Sequence, residues 1–138
     1  MLAPGSGFAG GMMSNQVLIE QIENALGAHA AWRKKLTTAI RTGTLETPPG
    51  DIACDDKCAF GQWLYGPEID DSTRERKPYQ VTRRLHAEFH KVAAEVAELA
   101  EGGRRGEAFA LLDNEFTARS DTLARALNKW RSEAEATG

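Results

Sequence analysis

The sequence predicts an all-α domain: an antiparallel, four-helix-bundle-like fold with three long helices and one short helix. In the long segments, apolar residues recur at three- and four-residue spacing, and strand-like alternation is absent. Glycine and proline clusters separate these segments. A chain of 138 residues fits one domain, which we place at residues 14–135. Such a domain buries roughly two-thirds of its unfolded surface, so its core needs no disulfides.

The first long helix is predicted to run from Ser14, a suitable N-cap, to Thr42, with Gly43 as its stop. Its apolar positions follow helical spacing and include Ile22, Leu26, His29, Trp32, Leu36 and Ile40. His29 is seven residues from both Ile22 and Leu36, so it should point inward with them.

The short helix is predicted to carry Cys58, with Asp55 or Asp56 as its cap and Gly66-Pro67 as its end. The residues before this helix, 44–57, are predicted to form a loop, because Pro48-Pro49-Gly50-Asp51 interrupts regular structure. The charged stretch 68–77 after it is expected to be an exposed loop. Residues 1–13 are Gly-rich and lack the features of a secretory signal, so we expect a disordered tail.

Two further long helices complete the prediction. One begins near Pro78, a residue suited to the first helical turn, and stops at Gly102-Gly103. Its apolar stripe comprises Leu85, Phe89, Val92, Val96 and Leu99. The last helix covers about 107–133, with inward positions Phe109, Leu112, Phe116, Leu123, Leu127 and Trp130.

Three histidines and one cysteine form a candidate metal site. His86 and His90 have i, i+4 spacing, which places both imidazoles on one helix face. Taken singly, each of these histidines is more often an ordinary core or surface side chain than a metal ligand. The same holds for His29 and for Cys58. Together, three imidazoles and one thiolate would make the closed tetrahedral set that structural zinc prefers.

The chain resembles the chemoreceptor zinc-binding (CZB) domain family over about residues 18–92. The resemblance rests on His29-x-x-Trp32, Cys58-x-Phe60-Gly61-x-Trp63-Leu64 and His86-x-x-x-His90, in this order. It implies that Zn²⁺ is bound by His29, Cys58, His86 and His90. It also implies a cytoplasmic bacterial regulatory domain, often dimeric, attached to chemoreceptors or cyclic-di-GMP-synthesising enzymes and responding to zinc or hypochlorous acid. The chain departs from the family at Gln62, where a basic residue is usual, and in its extra thiol, Cys54.

Cys58 is also the predicted redox switch. A helix N-terminus and a bound zinc ion both favour its thiolate, which can be oxidised to sulfenic acid. Oxidation would remove a good ligand and release the segment around it. Cys54 could resolve the sulfenic acid, although an i, i+4 disulfide inside a regular helix would be strained. Carboxylates that could hydrogen-bond to the ligand imidazoles are Asp51, Asp55, Asp56 and Glu88.

Composition and motifs argue against several other functions. A net charge of -3 argues against nucleic-acid binding, and no apolar run is long enough for membrane insertion. A zinc hydrolase or lyase would keep an open metal position, whereas four ligands are available here, so we expect no enzyme activity. A di-iron bundle needs more histidine and paired Glu-x-x-His elements. A structural, zinc-stapled adaptor stays open as the alternative.

A second apolar set on the first helix suggests a homodimer. It contains Val17, Leu18, Ala25 and Trp32 and lies beyond a single core stripe. A long helix that is apolar on two sides often meets a partner chain.

Overall fold

The computed structural model describes residues 14–137, in which helices are joined by short turns and loops and no β-strand occurs. The prediction of an all-α protein is therefore confirmed. The elements are α1 (Asn15–Thr42), α2 (Pro49–Ile52), α3 (Ala59–Leu64), α4 (Asp71–Arg74), α5 (Lys77–Glu101), α6 (Arg105–Leu111), a π-helical turn (Leu112–Phe116) and α7 (Thr117–Thr137).

Three long helical segments pack against one another and enclose the core. They are α1, α5 and the continuous segment formed by α6, the π turn and α7. The largest fully buried side chains come from all three segments and from α3, and include Ile22, Leu64, Phe89, Phe116 and Leu127. Helix α3 lies against α1. The description as an antiparallel four-helix bundle, with α3 as the fourth member, stays a prediction.

Helix α1 has the ends that its sequence predicts. The Ser14 hydroxyl accepts a hydrogen bond from the Val17 amide at 3.2 Å. Gly43 adopts the left-handed conformation at φ 74°, and its N–H donates to the Ala39 carbonyl at 2.7 Å. The inward position of His29 is confirmed, since its side chain is buried on the face that carries Leu36.

The connecting segments contain more helix than the sequence suggested. The predicted loop 44–57 includes the single turn α2, which starts with proline at its first position. The predicted exposed loop 68–77 includes α4, where the Asp70 carboxylate accepts from the Thr73 amide at 2.8 Å. Ile69 is only 3% exposed, so it anchors this segment to the core. The prediction of two irregular loops was wrong because helices of four residues leave little periodicity to detect.

The last long segment is interrupted by the π turn. The Thr117 hydroxyl donates to the Leu112 carbonyl at 2.8 Å, across the wider spacing of that turn. At its end, the Phe116 ring lies 5.2 Å from the Phe89 ring, centroid to centroid. The sequence predicted one regular helix over 107–133, so the π turn is a correction to that element.

The predicted tail, residues 1–13, lies outside the described residues, and the division between it and a domain at 14–135 stays a prediction. Among the helices of the described range, none combines the length and the hydropathy that crossing a membrane would require.

Candidate metal centre

Four side chains from three elements converge at one point in the core. α1 contributes His29, α5 contributes His86 and His90, and Cys58 immediately precedes α3. The Cys58 Sγ lies 3.3 Å from His86 Nε2, 3.6 Å from His90 Nε2 and 4.0 Å from His29 Nε2. His86 Nε2 lies 3.0 Å from His29 Nε2 and 3.1 Å from His90 Nε2. All four potential ligand atoms lie within 4.8 Å of one another.

This donor set fits tetrahedral zinc. Zn–N bonds of about 2.0–2.1 Å and a Zn–S bond of about 2.3 Å place nitrogens about 3.4 Å apart and sulfur about 3.6 Å from each nitrogen. The observed nitrogen–nitrogen pairs at 3.0 and 3.1 Å are slightly closer than this, and the sulfur–nitrogen distances of 3.3 to 4.0 Å bracket it. For the sixth pair, His29 Nε2 and His90 Nε2, the bound is 4.8 Å. One ion can contact all four atoms once these two imidazoles approach each other to the zinc spacing.

Burial keeps the three imidazoles in the neutral form that binds a metal. Loss of solvation lowers the pKa of His29 to about 4 and that of His86 to about 2, and the neighbouring imidazoles lower both further. The pKa of His90 is also lowered by burial, partly offset by its hydrogen bond to the Ile52 carbonyl. A metal that arrives at neutral pH thus meets neutral imidazoles and has no imidazolium proton to displace.

Two of the imidazoles are oriented by backbone carbonyls. His29 Nδ1 donates to the Ala25 carbonyl at 2.7 Å, and His90 Nδ1 donates to the Ile52 carbonyl at 2.9 Å. These bonds fix the tautomer that leaves Nε2 free for the metal. Sequence reasoning missed both partners. Ala25 could have been found because it lies four residues before His29 on one helix, but nothing in the sequence singles out Ile52.

The carboxylates expected beside the imidazoles are engaged elsewhere. Asp51 pairs with Lys57 at 2.8 Å, Asp55 accepts from the Tyr65 hydroxyl, and Glu88 pairs with two arginines on the surface. Within residues 14–137, neither they nor Asp56 form a hydrogen bond to these histidines. The prediction of carboxylate support was wrong because buried backbone carbonyls can accept the same bond without a buried charge.

Cys58 itself is the N-cap of α3, which corrects the expectation that Asp55 or Asp56 caps this helix. Its Sγ accepts from the Gly61 amide at 3.3 Å. The helix end alone does not give the expected lowering of its pKa. Burial raises the pKa of the Cys58 thiol by more than the amide hydrogen bonds lower it. A bound zinc ion is therefore what would hold this sulfur as a thiolate at neutral pH.

Gly61 allows the chain to fold tightly over the sulfur. A Cβ atom at this position would lie 1.7 Å from the Asp55 carbonyl oxygen and 2.7 Å from its carbon. No side chain fits there, so only glycine brings this amide to the sulfur without moving the backbone.

Cys54 is separate from the four converging side chains. It is a free thiol, half-buried, and its Sγ donates to the Gly50 carbonyl at 3.3 Å. It lies between α2 and α3 and not within a regular helix, so the helix geometry expected to strain a disulfide with Cys58 does not apply.

Comparison with known families supports the same centre. The family model described as the chemoreceptor zinc-binding domain matches residues 29–97, which is half of the chain and includes all four converging side chains. No curated protein and no solved structure matches the chain. The chain belongs to the chemoreceptor zinc-binding domain family, and its metal is zinc.

Proposed function

We propose that this zinc-binding regulatory domain binds Zn²⁺ through His29, Cys58, His86 and His90 and senses oxidants, or zinc itself, through the Cys58 thiolate. One observation carries the proposal: Cys58 is the only one of the four side chains that can bind zinc as an anion, and it is also the N-cap of α3. A change at this sulfur alters the metal's strongest ligand and the start of a core helix together.

Helix α3 connects the sulfur to the core of the domain. Its side chains Phe60, Trp63 and Leu64 are buried. The Phe60 ring lies 5.2 Å from His86 and 5.6 Å from Trp63, centroid to centroid. Trp63 in turn lies 6.0 Å from Trp130 on α7. Displacement of Cys58 would therefore disturb aromatic contacts that reach the last helix, and this gives a route by which a local ligand change alters helix packing.

The oxidation step balances with hypochlorous acid as the oxidant. The Cys58 thiolate attacks the chlorine and releases hydroxide, and water then displaces chloride from sulfur with loss of a proton. Sulfur loses two electrons, chlorine gains two, and the products are the sulfenic acid and chloride. Bound zinc supplies the deprotonated, nucleophilic sulfur. The sulfenic acid is a weaker ligand, so the affinity for zinc falls.

A titration with oxidant tests the switch. Zinc-loaded protein receives stoichiometric hypochlorous acid while a chromogenic chelator reports free zinc and mass spectrometry locates the modification. We expect zinc release in step with oxidation of Cys58, and the same behaviour in a Cys54→Ser variant. Oxidation confined to other residues, with zinc retained, would overturn the redox proposal.

Metal analysis tests the ligand assignment independently of any oxidant. Protein purified without added zinc should contain about one equivalent, and Cys58→Ala and His90→Ala should each lose most of it. Cys54→Ala is the matched control, because it removes a neighbouring thiol outside the four side chains. Normal zinc content in Cys58→Ala would remove Cys58 from the site.

We further propose a cytoplasmic homodimer that signals to a chemotaxis or cyclic-di-GMP output module and has no catalytic activity of its own. Four donors leave zinc no open position for substrate, which supports a non-enzymatic role over a zinc hydrolase. Leu18 and Ala25, predicted to belong to a second apolar face of α1, are instead buried in the core of the same chain. The support for the dimer is therefore confined to Val17, which is 37% exposed, and Trp32, which is only partly buried. Sedimentation at tens of micromolar should give twice the monomer mass, and a Trp32→Glu variant should give the monomer mass.

The alternative is a structural role, in which zinc only staples the helices together. It is favoured by the depth of the site, since all three histidines are buried. Comparison of zinc-loaded and metal-free protein by solution scattering and hydrogen exchange separates the two. A sensor should change conformation beyond the four ligands, whereas a staple should change only in stability.

A further inference from the structure

Three buried polar atoms beside the metal centre have no hydrogen-bond partner among the described residues. They are the Thr82 hydroxyl, His86 Nδ1 and Trp63 Nε1. Thr82 and His86 are both 0% exposed. The other two histidines donate from Nδ1 to a carbonyl, so His86 is the exception among the three. An unpartnered buried polar group costs free energy, and three together need an explanation.

Two of the three atoms, those of Thr82 and His86, lie on neighbouring turns of α5. Thr82 precedes His86 by four residues on α5, so the two side chains lie on one face of the helix. Because helical side chains lean toward the N-terminus, the His86 ring leans over the turn that carries Thr82. Trp63 is connected through Phe60, whose ring lies 5.6 Å from Trp63 and 5.2 Å from His86.

A cavity of about 250 Å³ lies beside Thr82. It is lined by residues of α5 and α7, including Thr82 and Trp130. Thr82 therefore lines a cavity that can admit water and lies one helical turn before His86.

We propose that a water molecule is bound here and connects His86 Nδ1 to the Thr82 hydroxyl. The water accepts one hydrogen bond from His86 and donates one to Thr82. Buried waters make about two to four such bonds, and polar surroundings are what such a water requires. The Thr82 hydroxyl and His86 Nδ1 do not hydrogen-bond to each other directly, since neither atom has a partner among the described residues.

This assigns Thr82 a positioning role for the metal centre. The water does for His86 what the Ala25 and Ile52 carbonyls do for the other two histidines: it fixes the tautomer and the ring orientation. The inference rests on the proposal that His86 is a zinc ligand. The bridge to Thr82, however, concerns the folded chain and can be measured without metal.

The test compares Thr82→Val with Thr82→Ser. Valine keeps the shape and loses the hydroxyl, whereas serine keeps the hydroxyl. Loss of such outer partners typically weakens metal binding 10- to 100-fold. By competition with a chelator we expect that loss in Thr82→Val and near-normal affinity in Thr82→Ser. Thr122→Val is the matched control, because its hydroxyl donates to the Ala118 carbonyl elsewhere.

A second measurement uses metal-free protein. If the hydroxyl holds a water, Thr82→Val should lower the urea midpoint, and the His86 Nδ1 proton should exchange faster with solvent in nitrogen-detected NMR spectra. If the hydroxyl is truly without a partner, valine should raise the midpoint and leave the proton unchanged, because a buried unsatisfied group has been removed. That result, or unchanged zinc affinity in Thr82→Val, would overturn the proposal. His86→Gln tests the ligand assignment separately: normal zinc affinity there would refute the proposed function and leave the metal-free measurement valid.

Discussion

Replacing Gly61 with alanine should damage both the fold of α3 and the binding of zinc. The added Cβ would lie 1.7 Å from the Asp55 carbonyl oxygen, whereas carbon and oxygen normally approach to about 3.3 Å. The backbone must therefore open by roughly 1.6 Å at this point. Because the neighbouring atoms are backbone and not the end of a flexible side chain, no rotamer change can absorb the shift.

The same movement separates the Gly61 amide from the Cys58 sulfur, which it contacts at 3.3 Å. Overpacking of this kind costs about 1–3 kcal/mol of the free energy of unfolding. We also expect zinc affinity to fall by about 10- to 100-fold, as when other outer contacts of a metal ligand are lost. Urea unfolding in EDTA measures the first effect, and competition with a chelator measures the second.

Gly27→Ala is the matched control for this experiment. Gly27 lies two residues before His29 inside α1, and a Cβ there meets nothing within 4 Å. It should leave zinc affinity unchanged and raise the free energy of unfolding by about 0.5–1 kcal/mol, because alanine is the better helix former. If Gly61→Ala also kept normal zinc affinity and stability, the tight approach at the sulfur would not matter and the reasoning would be refuted.

Four further predictions concern stability. Metal-free protein should lose stability as the pH falls from 7 to 5. His29 and His86 have a pKa of about 6.5 in the unfolded chain and of about 4 and about 2 in the folded protein. Their neutral forms therefore stabilise the fold above about pH 6.5, and this stabilisation is lost as the pH falls toward the folded pKa values. At pH 5 the loss in the free energy of unfolding is roughly 2 kcal/mol for each histidine. Urea midpoints measured in EDTA at several pH values test this loss of stability. A midpoint that does not change between pH 7 and pH 5 would contradict the prediction. Zinc at 100 times its Kd should add about 2.7 kcal/mol at neutral pH, a gain that EDTA should abolish in thermal unfolding. Phe89→Ala, at a fully buried ring, should cost about 3–5 kcal/mol in urea unfolding, and a cost below 1 would mean that the core relaxes there. Asp113→Asn should change the free energy of unfolding by no more than about 0.5 kcal/mol, because its ion pair with Arg33 is half-exposed; a larger effect would show a structural role for that pair.

Local signals in the sequence predicted some features well. Helix α1 was predicted with both ends, because a serine cap and a left-handed glycine act within one turn of the helix. The four converging side chains could also be chosen, because imidazole and thiolate are unusual enough to limit the combinations. Their convergence depends on tertiary packing, so the sequence alone could only suggest it through the spacing of His86 and His90.

Other features could not be read from the sequence. The carbonyl of Ile52 supports His90 from 38 residues away, and every residue has a carbonyl, so no residue type marks it. The choice of Cys58 as a cap over two nearby aspartates depends on the sulfur facing the Gly61 amide. The π turn leaves no signal of its own, because the four-residue gap between Leu112 and Phe116, which spans it, also fits a regular helix.

The π turn has a consequence for how the last helical segment tolerates changes in length. Ala108 and Ala134 are both buried but lie 26 positions apart, which in a regular helix would rotate them about 80° from each other. Absorbing one residue in the wider turn reduces this mismatch to about 20°. Deleting the exposed Asn114 should therefore restore a regular helix and keep Leu127 facing inward. Deleting the exposed Arg125 would turn the end of the protein by about 100° and expose Trp130 to solvent.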